Sequence, residues 1–340
     1  MKPQPLKGGV KKVRDLVDGV LLLDKPVGLS SNDALIKAKR VLNARKAGHT
    51  GTLDPFATGL LPLCFGEATK FAQDLLEADK TYETVVHLGL TTNTGDTEGD
   101  VIATSEVHVT QAQIDAVLQR FRGPIAQVPP MYSALKRDGK PLYEYARAGI
   151  TLEREARALT IHGLTLVDWQ PPLLKIDVLC SKGTYVRVLG EDIGAALGCG
   201  AHLQALRRTG VGSLSLAGAM TIEQLAAVDE PARAASLAPV DALLQSFPAL
   251  LLEDDLARRF LHGQRISLGK ESVALPILAA TAGQGTAVAA PDGARVRVYR
   301  ASDGCLLGTG RMQEFSVLAP ERLVAANGAG VASSSGPASA

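Results

Sequence analysis

Apolar and polar residues follow two rhythms along this chain, and the rhythm changes from segment to segment. Val20-Leu21-Leu22-Leu23 is a short continuous apolar run, as expected of a buried strand, and Asp24-Lys25-Pro26-Val27-Gly28 follows it as a turn. Ser30, Ser31 and Asn32 are N-cap candidates for a helix whose apolar positions, Ala34, Leu35, Ala38, Val41 and Leu42, recur at helical spacing. The run at 60–65 predicts another buried strand, and Ala68, Phe71, Ala72, Leu75 and Leu76 predict a helix over 67–78. At Thr84, Val86, Leu88 and Leu90 the period drops to two, which marks a strand with one face covered. Thr110 caps a helix over 111–121 that buries Ile114, Val117, Leu118 and Phe121 and stops at Gly123-Pro124. Asp138-Gly139 is a strong hairpin turn. Strands are predicted over 160–169 and 174–180, separated by Pro171-Pro172. A helix is predicted from about 184 to 196, with Val186, Leu189, Ile193 and Leu197 as its stripe. Short helices at 221–227 and 253–262 and strands at 265–268, 295–299 and 306–312 complete the series. Mixed order of this kind, without a regular strand–helix–strand alternation, points to the α+β class.

The 340 residues are enough for two domains. Pro231 and Pro239 bound an Ala-rich connector, after which 246–325 reads as a separate small domain. The ends are simpler: 1–16 reads as a basic flexible arm and 326–340, rich in Ala, Gly and Ser, as a disordered tail. No internal repeat is apparent. The longest apolar run near the N-terminus stops at Asp24, so neither a signal peptide nor a membrane span is expected, and the cytoplasm is the expected compartment.

The net charge of +1 announces no nucleic-acid partner, but the charges are unevenly spread. Lys2, Lys7, Lys11, Lys12 and Arg14 precede the first acid. Lys37, Lys39, Arg40, Arg45 and Lys46 form a second basic cluster, and Arg207-Arg208 a third. Asp96, Glu98, Asp100, Glu106 and Asp115 form an acidic patch. A surface polarised in this way can meet a phosphate backbone with one face; solvated helix faces would leave the same pattern. Cys64, Cys180, Cys199 and Cys305 contain no Cys-x-x-Cys pair and the six histidines are scattered, so buried reduced thiols are expected and a zinc site is not.

One stretch has chemistry beyond its periodicity. Gly48-His49-Thr50-Gly51-Thr52-Leu53-Asp54-Pro55-Phe56-Ala57-Thr58-Gly59 sets a single carboxylate between glycine-bearing turns, and Pro55 biases the backbone before it away from helix. By composition alone this is either a mount for a reactive Asp54 or a plain Asx turn. The whole stretch resembles the signature loop of the TruB-type tRNA pseudouridine synthases. Leu-Asp-Lys-Pro-x-Gly-x-Ser-Ser at 23–31, Lys80-Thr81-Tyr82, the block from Pro129 to Arg147, Ser-Lys-Gly-Thr-Tyr-x-Arg at 181–187 and Ala-His-Leu-x-x-Leu-Arg-Arg-Thr at 201–209 resemble further motifs of that family. The likeness is firm over about 20–225 and loose beyond, weakest across 279–290.

The resemblance implies an α+β pseudouridine synthase fold. This has a large mixed, mainly antiparallel sheet crossed by a catalytic cleft over 17–245, and a tRNA-gripping insertion around 123–158. A small C-terminal β-rich, PUA-like RNA-binding domain follows at 246–325. The implied reaction converts uridine 55 in the T-loop of tRNA to pseudouridine, moving the glycosidic bond from N1 to C5 after the base is flipped out. It needs no cofactor and no metal. The implied partner is the T-arm of tRNA, with no membrane and no guide RNA, and the chain is expected to be a monomer. By resemblance Asp54 is the catalytic carboxylate, acting as nucleophile or base. Tyr82 stacks on the target base, and Arg187 pairs with Asp54, keeps it ionised and lowers its pKa. His49 takes the space the flipped base leaves, and Leu206 packs against that base. Lys136, Lys140 and Arg147 of the insertion and Arg208 are candidates for RNA contact, with Arg137 beside them. For Lys25 a structural role is equally open, and Tyr143 and Tyr145 are as consistent with a core as with RNA contact.

Overall fold

The computed structural model describes residues 13–275, 277–278 and 288–325. Most of the basic arm, the 326–340 tail and most of 279–290 lie outside the described residues.

Seven strands lie side by side in the main sheet, in the order Gly19–Lys25, Thr58–Phe65, Ala201–Val211, Lys80–Leu88, Leu173–Cys180, Arg157–Gln170 and Gly123–Gln127. Ala47–His49 and Leu214–Ser215 add short pairings to Thr58–Phe65 and Ala201–Val211. Neighbours run antiparallel except Thr58–Phe65 with Ala201–Val211, which pair parallel through Arg207 and Arg208. This is the mixed, mainly antiparallel sheet expected. Helices Ser31–Val41, Gln111–Arg120, Val186–Ala196 and Ile222–Ala227 bury Ala34, Ala38, Ile114, Leu118, Leu189, Ile193 and Leu225 in one apolar core with the sheet. Ser30 caps the first of these helices and Thr110 the second, the latter in a full capping box with Gln113.

One expectation needs correcting, and one central strand was not expected. The helix over 67–78 is a 3₁₀ turn, Gly66–Lys70, and a short helix, Ala72–Leu76, broken at Phe71. Phe71 is fully buried between the two, so tertiary packing decides its backbone rather than helical periodicity. The strand Ala201–Val211 lies mid-sheet, yet no alternation announced it. Bulges at Leu203/Ala205 and Arg208/Gly210 shift the register, and the strand carries buried His202 and Arg208.

The C-terminal domain is a five-stranded sheet, Ala249–Leu252, Arg295–Arg300, Leu306–Gln313, Val317–Leu323 and Ile266–Ser267, with the helix Asp254–Leu261 packed on it around Phe260 and Val298. The first and fourth of these strands were not expected; the fourth contains Pro320, which ordinarily argues against a strand. Polar ties fasten this domain to the catalytic one. Asp74 accepts from Arg295 and Arg322, the Lys70 ammonium donates to the Leu323 carbonyl at 2.8 Å, and the Tyr299 hydroxyl donates to Asp241 at 2.7 Å. Phe247, Leu306 and Val324 also pack against the core formed by Val20, Leu60, Phe71, Leu75 and Leu244, so apolar contact continues across the junction.

Candidate active site

The loop between Ala47–His49 and Thr58–Phe65 is held in place from below. The Ser31 hydroxyl donates to the Leu53 carbonyl and accepts from the Leu53 amide at 2.7 Å, so the start of the first helix fixes the residue before Asp54. The Lys25 ammonium donates to the carbonyls of Pro26, Leu29 and Pro55 at 3.0, 2.7 and 3.3 Å, and the Gly28 amide donates to Pro55 at 2.8 Å. Arg208 reaches under the other end, donating to Leu60 at 2.8 Å and Gly51 at 3.2 Å. Gly59 makes this approach possible. A Cβ there would lie 2.2 Å from the Arg208 carbonyl oxygen, and its φ of +99° is one that side-chain-bearing residues rarely adopt.

On this mount the Asp54 side chain opens into a cleft and is 37% exposed. Arg187, almost fully buried, places Nε 2.9 Å from Asp54 Oδ2 and Nη1 3.4 Å from Asp96 Oδ2. It also donates to the Thr94 carbonyl at 2.8 Å and to Tyr132 at 2.7 Å. One guanidinium therefore serves two carboxylates and two carbonyls, and its position is fixed from both sides. Gln127 anchors the segment leading into Arg187: its side chain accepts from the Tyr185 amide at 2.8 Å and donates to the Tyr185 carbonyl at 3.2 Å.

Asp54 stands where two hollows meet. A cleft of about 770 Å³ is lined by His49, Asp96, Glu98, Asp100, Tyr143 and Arg147 among others. A narrower hollow of about 580 Å³ is lined by Lys80, Tyr82, Ser133, Tyr185 and Leu206. Asp54, Ser133, Ala134 and Arg187 border both. Tyr82 and Leu206 are buried on neighbouring strands and face this second hollow with an aromatic ring and an aliphatic side chain.

The pKa of Asp54 is raised, not lowered. Desolvation by the walls of the cleft is the largest influence and the like charge of Asp96 adds to it; together they outweigh the attraction of Arg187. The expected depression considered the arginine without the burial. Burial acts the other way on cations, lowering His49 and bringing Lys80 and Lys25 down to about 8. His49 Nδ1 is buried without a hydrogen-bond partner.

Three family models match successive stretches. They are the TruB family pseudouridylate synthase N-terminal domain over 39–186, the tRNA pseudouridylate synthase B C-terminal domain over 187–245, and the pseudouridine synthase II TruB C-terminal model over 248–324. The chain belongs to the TruB family of pseudouridylate synthases. Among its relatives, a Burkholderia mallei (strain ATCC 23344) protein named tRNA pseudouridine synthase B is 62% identical, covering 92% of this chain and 96% of that protein. A protein of the same name from Ralstonia nicotianae is 59% identical over 92% of this chain and 96% of its own length. A crystal structure of a Cbf5-Nop10-Gar1 complex superposes with a TM-score of 0.68 at 25% identity, covering 91% of this chain and 85% of that one.

The candidates read from the TruB motifs divide into three groups. Asp54, Arg187, His49, Tyr82 and Leu206 converge on the two hollows. Lys136 and Lys140 stand exposed on the Lys136–Arg137 and Lys140–Pro141 hairpin, and Arg147 sits at the cleft rim with its guanidinium 5.4 Å from the centre of the Tyr143 ring. Lys25 and Arg208, 0% and 1% exposed, commit their cationic groups to backbone carbonyls under the loop; for Lys25 this is the structural one of the two roles left open, and Arg208 is corrected from an RNA contact to a support of the loop. Asp96 and Gln127 had not been singled out as site residues. The acidic patch of 96–100 does not oppose the basic face; Asp96, Glu98 and Asp100 line the cleft itself. The Asp-x-Glu-x-Asp spacing beside a predicted strand end was the available signal for Asp96. Gln127 is one polar residue in a short strand and offered none.

Proposed function

We propose that this chain converts uridine 55 in the T-loop of tRNA to pseudouridine, acting on free tRNA without a guide RNA, as a monomer in the cytoplasm. The observation that carries this reading is Asp54, clamped by Arg187 at the mouth of a hollow walled by Tyr82 and Leu206. Relatives named tRNA pseudouridine synthase B, matched over nearly their whole length, support the choice of RNA.

The distribution of charge fits a nucleotide entering base first. Carboxylates of Asp96, Glu98 and Asp100 inside the cleft repel phosphate, while Arg147 at its rim and Lys136 and Lys140 outside attract it. The backbone stays at the rim and the uncharged base enters the hollow. Flipping the base costs a few kcal/mol of stacking, and a ring such as Tyr82 returns about 1–3 kcal/mol by stacking again. His49, neutral and with an unpartnered ring nitrogen, occupies the space the base vacates in the loop. Asp54 then acts as nucleophile or base with Arg187 fixing its direction. The N1 glycosidic bond breaks, the uracil turns, and the C5 bond forms with loss of the C5 proton, while N1 ends protonated, so that product and substrate are isomers. These are the site roles we assign: Asp54, Arg187 and Tyr82 in catalysis, and His49, Leu206, Lys136, Lys140 and Arg147 in holding RNA.

Tritium at uridine C5 tests the reaction directly. Release to water from a transcript carrying uridine at position 55, and none when that position is cytidine, is the expected result. Release that continues with the cytidine transcript would place the reaction elsewhere in the RNA.

A further inference from the structure

The walls of the inner hollow raise a problem that Tyr82 and Leu206 do not solve. An aromatic ring and an aliphatic side chain hold the faces of any pyrimidine, and neither reads its edge. Selection of uracil requires a polar group in the hollow that is not already engaged. Most of the polar groups there are engaged. Arg208 donates to carbonyls beneath the loop, the Lys80 ammonium donates to Leu76 and Ala78, and the Thr184 hydroxyl donates to Ser181. The Ser181 hydroxyl accepts from the Thr160 amide, and Arg187 is bound on four sides.

Ser133 differs. Its residue is only 5% exposed, it borders both hollows beside Asp54, and its hydroxyl makes no hydrogen bond of good geometry, its polar neighbour being the Tyr185 hydroxyl. Its backbone is held firmly. The amide donates to Met131 at 2.9 Å and the carbonyl accepts from the Tyr143 amide at 3.1 Å. The preceding carbonyl, Tyr132, receives Arg187, so the segment that presents this hydroxyl is tied to the group that aims Asp54. A buried hydroxyl left poorly paired on an immobilised backbone carries a cost that an incoming partner relieves.

We infer that the Ser133 hydroxyl is a specificity contact to the N3 edge of the flipped uracil, which it meets as acceptor from N3–H. This rests on the reaction proposed above. The contact suits an isomerisation in particular. Turning uracil about its N3–C6 axis exchanges N1 with C5 and O2 with O4 but leaves N3–H in place. A group bonded to N3–H therefore holds the base before the old bond breaks and after the new one forms. Cytosine offers no proton at N3 and would leave the serine unpaired.

The test compares the full chain with Ser133→Ala in single-turnover reactions on T-arm RNAs. These carry uridine, 3-deazauridine (C–H in place of N3–H) or 2′-deoxyuridine at the target position. The substitution should slow uridine about tenfold, the size of one neutral hydrogen bond, and should slow 3-deazauridine less than twofold, because that contact is already absent. On 2′-deoxyuridine the tenfold loss should remain. Equal losses on uridine and 3-deazauridine would make Ser133 a merely structural residue. A loss cancelled by 2′-deoxyuridine instead would move the contact to the ribose, and no loss on uridine would remove it; each of these overturns the inference. Turnover of uridine by the unaltered chain is the separate check on the reaction itself, and its absence would overturn both.

Discussion

Asp54 is pulled in two directions, and the balance sets the pH at which it works. Burial and the Asp96 charge favour the neutral acid, whereas Arg187 and Lys25 favour the carboxylate, and burial prevails. The sign of the consequence is fixed. A raised pKa means that the proton is taken up at higher pH than the ordinary 3.8 of an aspartate. If the ionised form reacts, single-turnover rate falls as pH drops, with a midpoint above 3.8, and is flat well above it. A pH–rate profile flat down to the ordinary carboxylate range would contradict this. Burial lowers the pKa of His49 from 6.5, so any fall it causes has its midpoint below that.

At the scale of elements, lysines of similar appearance have opposite duties. Lys25 lies under the loop with its ammonium on three carbonyls, whereas Lys136 and Lys140 stand exposed on a two-residue hairpin turned at Asp138-Gly139. Lys25→Met removes this donor from all three carbonyls, of which Pro55 keeps the Gly28 amide, and should lower stability by about 2–4 kcal/mol, measured by denaturant unfolding. Lys136→Ala and Lys140→Ala should leave stability unchanged, weaken RNA binding, and each reduce the slope of log affinity against log salt by about 1. A full salt slope in both variants would mean that the hairpin does not meet phosphate. The sequence left Lys25 open between a support and an RNA contact, since residue type predicts that cations face solvent; the same expectation put Arg208 among the RNA contacts. What was legible came from signals that survive without tertiary context: N-caps at Ser30 and Thr110, the turn at Asp138-Gly139, and motifs that named Asp54 and Arg187. The strand Ala201–Val211 was hidden because its two bulges erase the alternation that marks a strand. Asp96 was read as part of a surface patch because nothing local shows that the 91–100 turns bring it to Arg187.

At the scale of the whole molecule, the two domains share a charged joint. Asp74, 6% exposed in the catalytic domain, accepts from Arg295 and Arg322 of the C-terminal domain, and Arg295 lies 4.8 Å from the Phe247 ring centre. Asp74→Ala removes the carboxylate that Arg322 meets and leaves Arg295 with Glu321 alone, and should cost about 2 kcal/mol. Thermal unfolding should then separate an early transition of the C-terminal sheet from that of the main one; an unchanged single transition would show that apolar contact alone joins the domains. The central claim is that this framework exists to hold one carboxylate against a flipped base. The most direct measurement is pseudouridine formation and tRNA affinity for Asp54→Asn beside the unaltered chain. The account predicts no detectable product with affinity within about threefold, since Asn keeps the shape and the rim contacts are untouched. Product formed at a comparable rate by Asp54→Asn would contradict it.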